Sequence, residues 1–239
     1  MNHPFVMFSA AHFYVVVLNL AFGAILIYIG VKTRGTPVET AIRLFLVGAL
    51  WFIWVYLRVW RIRHEMFSIQ EDLPIHLCGF SSFLVPIMLL NKDFKFYEVM
   101  YYWGLGGATQ SLLTPTVEQG FPHFLFFEFF FTHALIITGV LYATFVFRYQ
   151  PTFRGLWNTW LFTAFLLIPI GIINHELNAN YFFIAGKPDT ASLLDILGPW
   201  PWYLISLSGV AFLIFVLCWL PFFIMDRIRK RKGLSVANT

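Results

Sequence analysis

Apolar runs broken by short polar stretches recur along the whole chain, at roughly 9–31, 41–60, 73–90, 96–114, 121–147, 156–178 and 200–225. Each run is near or above the ~20 residues that an α-helix needs to cross a ~30 Å hydrocarbon core. The pattern predicts an all-α membrane protein: one integral membrane domain over 1–239, built as a bundle of seven transmembrane helices. The connections are short and leave no room for a soluble domain.

Composition agrees, with 59% apolar residues, 12% charged residues and a mean hydropathy of +0.73. Charge then orients the bundle. No basic residue precedes the first apolar run, and Lys32 and Arg34 follow it. That is the pattern of an uncleaved anchor with its N-terminus outside. On that topology 12 of the 16 basic residues fall on the inner side and 4, Arg58, Arg61, Arg63 and Lys187, on the outer side. The positive-inside rule therefore predicts an outer N-terminus and a cytoplasmic C-terminus. The net charge of +4 is mainly a topology signal, and no nucleic-acid partner is expected. The cluster Arg227–Lys232 is placed to meet anionic cytoplasmic lipid.

Polar groups inside hydrocarbon are costly and mark candidate sites. Counting upward from the basic inner ends at ~1.5 Å per residue gives each one a depth. His133 comes about 22 Å above the inner boundary, Cys78 about 18–20 Å, Gln110 about 21 Å and Arg58 about 24 Å. Asn174, His175, Thr114 and His12 come at roughly 27–28 Å, and His76 sits just above Cys78. His3, His64 and His123 fall at or beyond the outer surface. The fifth helix, at about 27 residues, is long enough for its top to project past the lipid with Pro122, His123 and Glu128.

Cys78 and His133 match in depth on different helices, which is compatible with a thiol nucleophile and its base. A packed thiol and a histidine bonded to a neighbouring carbonyl is the plainer alternative. Cys218 is expected to be a small buried hydrophobe rather than a disulfide partner. Arg58 and Arg61 lie where phosphates lie, and guanidinium groups grip phosphate with two parallel bonds. Snorkelling, or pairing with Glu65, Glu71 and Asp72, is the alternative. Gln110 and Thr114 share a helix face and are candidate donors to a substrate carbonyl; bonding between helices is equally open. Gly104 and Gly107 read as close helix packing. Asn174, with His175 beside it, would orient a catalytic group or cap its helix. His76, His133 and His175 would have to converge to hold a metal, and no pair has helix-borne zinc spacing, so neither a metal nor a cofactor is expected.

The strings Leu73-Pro-Ile-His-Leu-Cys78, Tyr101-Tyr-Trp-Gly-Leu-Gly-Gly-Ala-Thr-Gln-Ser-Leu-Leu-Thr-Pro115, Phe121-Pro-His-Phe124 and Ala191-Ser-Leu-Leu-Asp-Ile-Leu-Gly-Pro-Trp-Pro-Trp-Tyr203 resemble the bacterial YwaF family. That family is more distantly similar to the eukaryotic transmembrane protein 164 family, implicated in phospholipid acyl transfer through a membrane-embedded cysteine. The resemblance implies a multi-pass protein of the bacterial plasma membrane. It maps the cysteine onto Cys78 and the intramembrane histidine onto His133.

The resulting expectation is a membrane-embedded acyltransferase or transacylase acting on phospholipid acyl esters. Cys78 is the nucleophile and His133 the acid–base. Arg58, Arg61, His76, Gln110, Thr114, His123, Asn174 and His175 contact substrate, and the partners are phospholipids or lysophospholipids. A lipid hydrolase with the same site, a non-enzymatic metal- or haem-binding protein and a small-molecule or lipid transporter are the alternatives. The oligomeric state is not readable. The topology has its own test. In protein lacking both native cysteines, Lys187→Cys should react with an impermeant maleimide on intact cells, and Lys95→Cys only after permeabilisation. The reverse result overturns the orientation.

Overall fold

The computed structural model describes residues 3–188 and 193–232. Among these, the α-helices are α1 (Ala10–Lys32), α2 (Pro37–Arg63), α3 (Leu77–Asn91), α4 (Phe94–Trp103), α5 (Thr109–Leu113), α6 (Phe124–Phe145), α7 (Phe153–Leu177) and α8 (Tyr203–Arg231). A π-helical segment, Gly104–Ala108, joins α4 to α5 with right-handed helical backbone at both junctions, so 94–113 form one rod. Each of the seven apolar runs thus becomes one rod. Helices α1, α2, α6, α7 and α8 are long and apolar enough to cross a membrane, while α3 is shorter, at 15 residues. The chain is a multi-pass helical membrane protein.

Side-chain and backbone bonds sort the loops into two ends. At one end the N-terminal segment pairs with the loop before α6: the Phe5 N–H donates to the Glu118 carbonyl (2.7 Å) and the Gly120 N–H to the His3 carbonyl (2.8 Å). At the other end Arg34, between α1 and α2, donates to the carbonyls of Phe145 (2.5 Å) and Val146 (3.0 Å). There also the Tyr149 hydroxyl donates to the Lys92 carbonyl, and Glu98 accepts from the Thr152 hydroxyl and N–H at the start of α7. Successive rods therefore run in alternating directions.

Helix α6 is the axis. It packs against α1, α2, α3, the π segment and α5, and from His133 to Val140 every residue is buried. Small residues let the neighbours close on it. A Cβ at Gly23 of α1 would come 2.2 Å from Thr138 Oγ1, and one at Gly30 2.6 Å from the Tyr142 ring. Gly104 abuts Val140 of α6 and Gly107 abuts Leu77 of α3. Near the opposite end Tyr142 donates to the backbone and carboxylate of the buried Glu39 (3.0 and 3.2 Å), which pairs with Arg43 at 3.4 Å. Both cysteines are free thiols.

Two expectations change. The fifth apolar run does not start a projecting helix at 121: α6 begins at Phe124, where the His123 ring nitrogen accepts the Leu125 N–H (3.2 Å) and caps it. Glu128 therefore lies inside the bundle rather than on an exposed top. The last run continues past its predicted end, to Arg231, because its basic residues extend the helix out of the apolar zone. Ahead of the last rod, Leu193–Leu197 form a 3-10 helix.

The α1–α6 seam predicts a stability effect. Thr138 is fully packed and donates to the Ala134 carbonyl, so it cannot swing away from a side chain at position 23. Gly23→Val should destabilise the protein by about 1–3 kcal/mol. Gly209→Ala, whose Cβ would meet nothing, should leave thermal unfolding in detergent nearly unchanged.

Candidate active site

Cys78 occupies the first turn of α3, as the second residue after the N-cap His76. His133 comes from the buried middle of α6 and is 7% exposed. The two side chains line one cavity and stand close enough to interact electrostatically. The His133 Nδ1 lies 2.7 Å from the Phe129 carbonyl one turn earlier. A carbonyl only accepts, so the neutral ring carries its proton on Nδ1 and leaves Nε2 as the acceptor for the thiol. That is the tautomer a general base needs. On the other side of the sulfur stands Ser111, with Oγ 3.8 Å from Sγ. Ser111 also donates to the Gly107 carbonyl at 3.2 Å.

The pair lines a cavity of about 450 Å³ whose wall is rich in charge. Arg61 forms an ion pair with Asp72 at 2.5 Å, and Asp72 also accepts the Ser68 N–H. Arg58 donates from Nη1 to the Trp54 carbonyl (2.6 Å) and its guanidinium lies 4.1 Å above the Trp54 ring. The Nε atoms of both arginines are buried without a hydrogen-bond partner. Glu128 lines the same cavity, accepts from the Thr132 hydroxyl at 2.9 Å and interacts electrostatically with His133, Arg61 and Arg58. His76 completes this wall with its ring 4.8 Å from that of Tyr181.

A second cavity, of about 290 Å³, opens on the far side of Cys78 between the π segment, α5 and α8. Leu207, Val210, Ile214 and Phe215 make it largely apolar. Cys78 and Thr116 line both cavities. The thiol therefore stands at the junction of a polar chamber and an apolar one.

The structure brings Cys78, His133, Arg58, Arg61 and His76 to the polar cavity, and Gln110 and Thr114 to the apolar one. Gln110 spends its amide on the Thr114 hydroxyl (2.8 Å), which donates back to the Gln110 carbonyl, so neither is directed at the sulfur. His123 is a helix cap. Asn174 exchanges two bonds with the Tyr181 backbone (2.8 and 2.9 Å) and locks a loop. Tyr181 in turn ties down the stretch before α3 by donating to the Ile69 carbonyl and accepting the Leu73 N–H. His175 is exposed on α7. These three line neither cavity. Among the described residues no group of three or more His, Cys, Asp or Glu has the geometry to hold a metal ion.

Sequence reasoning passed over Glu128, Thr132 and Ser111. The signal for the first two was present: a carboxylate and a hydroxyl at i, i+4 in an otherwise apolar helix, one turn before His133. Ser111 gave none, because its direction depends on the π segment.

Fold and site together define a polytopic helical membrane protein with a buried polar chamber and a thiol–imidazole pair in its wall. The model of the TMEM164 family matches residues 7–219, and the chain belongs to that family. An uncharacterized protein of Treponema pallidum (strain Nichols) is 26% identical over 157 residues, which cover 65% of this chain and 64% of that protein's length. No solved structure matches.

The pairing predicts selective thiol chemistry. His133→Phe should slow alkylation of Cys78 by a membrane-permeant maleimide by about tenfold or more, since the thiolate is the reacting form. Labelling of Cys218, read in the same digests by mass spectrometry, should not change.

Proposed function

We propose that the protein transfers acyl chains between membrane phospholipids, with Cys78 as nucleophile and His133 as general base and then acid. The observation that carries this reading is the thiol and imidazole side by side in one cavity wall, with the thiol at the junction of a polar and an apolar cavity. His133 Nε2 takes the thiol proton as sulfur attacks the ester carbonyl. The first turn of α3 favours the negative charge that develops there. Ser111, with its hydroxyl 3.8 Å from the sulfur, would turn its proton from the Gly107 carbonyl to the oxyanion, whereas Gln110 and Thr114 are bonded to each other. Collapse gives an acyl thioester on Cys78 and returns the proton to the departing glycerol oxygen. A lysophospholipid hydroxyl then takes the acyl group by the reverse sequence.

Arg58 would hold the lipid phosphate. Arg61, neutralised by Asp72, would shape the chamber and contribute less net charge. The apolar cavity beside Cys78 would receive the acyl chain. With seven membrane-spanning rods and the N-terminus outside, the site faces the outer leaflet of the bacterial plasma membrane.

Purified protein incubated with phospholipid carrying a labelled acyl chain should yield a thioester on Cys78, released by neutral hydroxylamine. Cys78→Ala and His133→Ala should each lower turnover by about 100-fold or more. Arg58→Ala should raise KM more than it lowers kcat. Wild-type turnover in both Cys78→Ala and His133→Ala overturns the mechanism.

A further inference from the structure

The N-terminal segment bears on how the polar chamber is reached. Part of the chamber wall is Thr116, Val117, Glu118 and Gln119, in the loop between α5 and α6. Another part is the α2–α3 loop, which Tyr181 and the Arg61–Asp72 pair brace. Residues 116–120 are held differently. Pro4 and Gln119 form an isolated antiparallel bridge. It is flanked by the Phe5 N–H bond to the Glu118 carbonyl (2.7 Å) and the Gly120 N–H bond to the His3 carbonyl (2.8 Å). The crossing is close: a Cβ at Gly120 would come 2.7 Å from the Pro4 carbonyl oxygen.

The segment that holds this loop is itself lightly held. His3, Pro4, Val6 and Phe8 are exposed, Phe8 at 77%. Phe5 packs inward, on the rings of His12, Phe126 and Phe130. Phe8 has a left-handed backbone (φ 60°), which is unfavourable for a bulky residue unless something holds it there. His12 does so. The Phe8 N–H donates to His12 Nδ1 at 3.0 Å, so that nitrogen carries no proton. The proton is therefore on Nε2, which donates to the Leu112 carbonyl at 2.8 Å. One buried imidazole thus joins the segment to the end of α5, one residue past Ser111.

We infer that residues 3–8 form a strap over the polar chamber, buckled by His12. The strap lifts together with the 116–120 loop and opens the chamber to water-borne groups at this end of the bundle. Local opening is the property of segments with few buried contacts and exposed backbone bonds. The strap fits that description, and the side-chain-braced α2–α3 loop does not. Closed, the strap keeps bulk water from Cys78 and His133. Open, it lets a polar group pass between residues 116–120 and the rest of the wall. The inference goes beyond acyl transfer, because it concerns access to Cys78 whatever chemistry follows there.

The bridge supplies the test. Residues flanked by hydrogen bonds in this way are a non-hydrogen-bonded antiparallel pair, with Cα atoms about 4.5 Å apart, a spacing that suits a disulfide. Pro4→Cys/Gln119→Cys protein is oxidised in detergent, and peptide mapping confirms the new disulfide and a free Cys78. Alkylation of Cys78 by a sulfonated, membrane-impermeant maleimide is then timed. The reference is Pro4→Ser/Gln119→Ser protein taken through the same oxidation, which cannot lock. The locked protein should react more slowly by about tenfold or more, as expected when reaction waits on local opening. Equal rates in the two proteins overturn the inference.

The buckle is tested from the other direction. His12→Phe removes both ring bonds and should raise the Cys78 rate by about fivefold or more, the population change that follows from losing one ordinary hydrogen bond. Amide hydrogen exchange across 3–8 and 116–120 should quicken with it. Phe5→Ala leaves both His12 bonds in place and should act in the same direction, which covers the case in which the His12 variant does not fold. Wild-type labelling and exchange in folded His12→Phe, or failing that in Phe5→Ala, overturn the inference. Neither arm reads thioester formation. A lock without effect, in protein that still forms a thioester from phospholipid, removes the strap and keeps acyl transfer. Slowed labelling in protein that forms no thioester keeps the strap and removes acyl transfer.

Discussion

Helix α6 runs through the middle of the bundle, so its polar residues can turn neither to lipid nor to bulk water. Everything around it has to answer that constraint. An unpaired polar group in such a place costs several kcal/mol, whereas a paired one costs little. His133 meets the requirement with the Phe129 carbonyl on one nitrogen and has the Cys78 thiol beside it in the same cavity. Thr138 and Thr144 turn back onto their own helix, and Glu128 takes the Thr132 hydroxyl. The same close packing that isolates these groups depends on glycines at the α1 and π-segment contacts. Packing and site are thus one arrangement: loosening the seam would admit lipid or water to the groups that form the pair.

The charges of the polar chamber are unequal in what they can offer. Arg61 is matched by Asp72, and Asp72 is itself fixed by the Ser68 N–H, so that pair mainly braces the loop leading into α3. Tyr181 braces the same loop from the α7 side, with Asn174 behind it. Arg58 differs. Its guanidinium rests on Trp54 and one carbonyl, and no carboxylate lies within ion-pair distance among the described residues. A buried cation with remaining donor capacity is the group in this chamber best suited to meet an incoming phosphate.

Much of the fold was legible because apolar run length converts directly into spans, and each of the seven runs became one rod. The matching depths of Cys78 and His133 were legible for a similar reason, since rise per residue is nearly constant along a helix. Depth carries no information on rotation, so the same ruler gathered residues that do other things. His123 and Asn174 lie near the site's end of the bundle, but one caps α6 and the other locks the Tyr181 loop; His175 points outward. Gln110 and Thr114 do share a face, as their spacing implies, but they bond to each other, and the π segment before them decides which residue meets the sulfur. One extra residue in a turn rotates the rest of the rod by about 100°, and Ser111, not Gln110, ends beside the sulfur. Glu128 was lost through a boundary: counting α6 from 121 put it on a projecting top, whereas capping at His123 draws it into the chamber.

The surroundings of Cys78 also bear on the fate of a thioester there. Hydrolysis needs a water held within reach of the carbonyl carbon, and an ordered buried water typically needs two to four polar partners. On the acyl side of the sulfur such partners are already engaged: Ser111 with Gly107 and Gln110 with Thr114. The cavity on the acyl side adds mostly hydrocarbon. A lysophospholipid acceptor brings its own anchor, because a phosphate held at Arg58 would keep the acceptor hydroxyl close to the carbonyl, where effective concentration replaces diffusion. His133 Nε2, having given up its proton to the first product, is then the base for that hydroxyl. Scarce water sites and a tethered acceptor both favour passing the acyl group to a second lipid over losing it to hydrolysis, which supports the transferase reading over the hydrolase that the same pair of residues would otherwise permit.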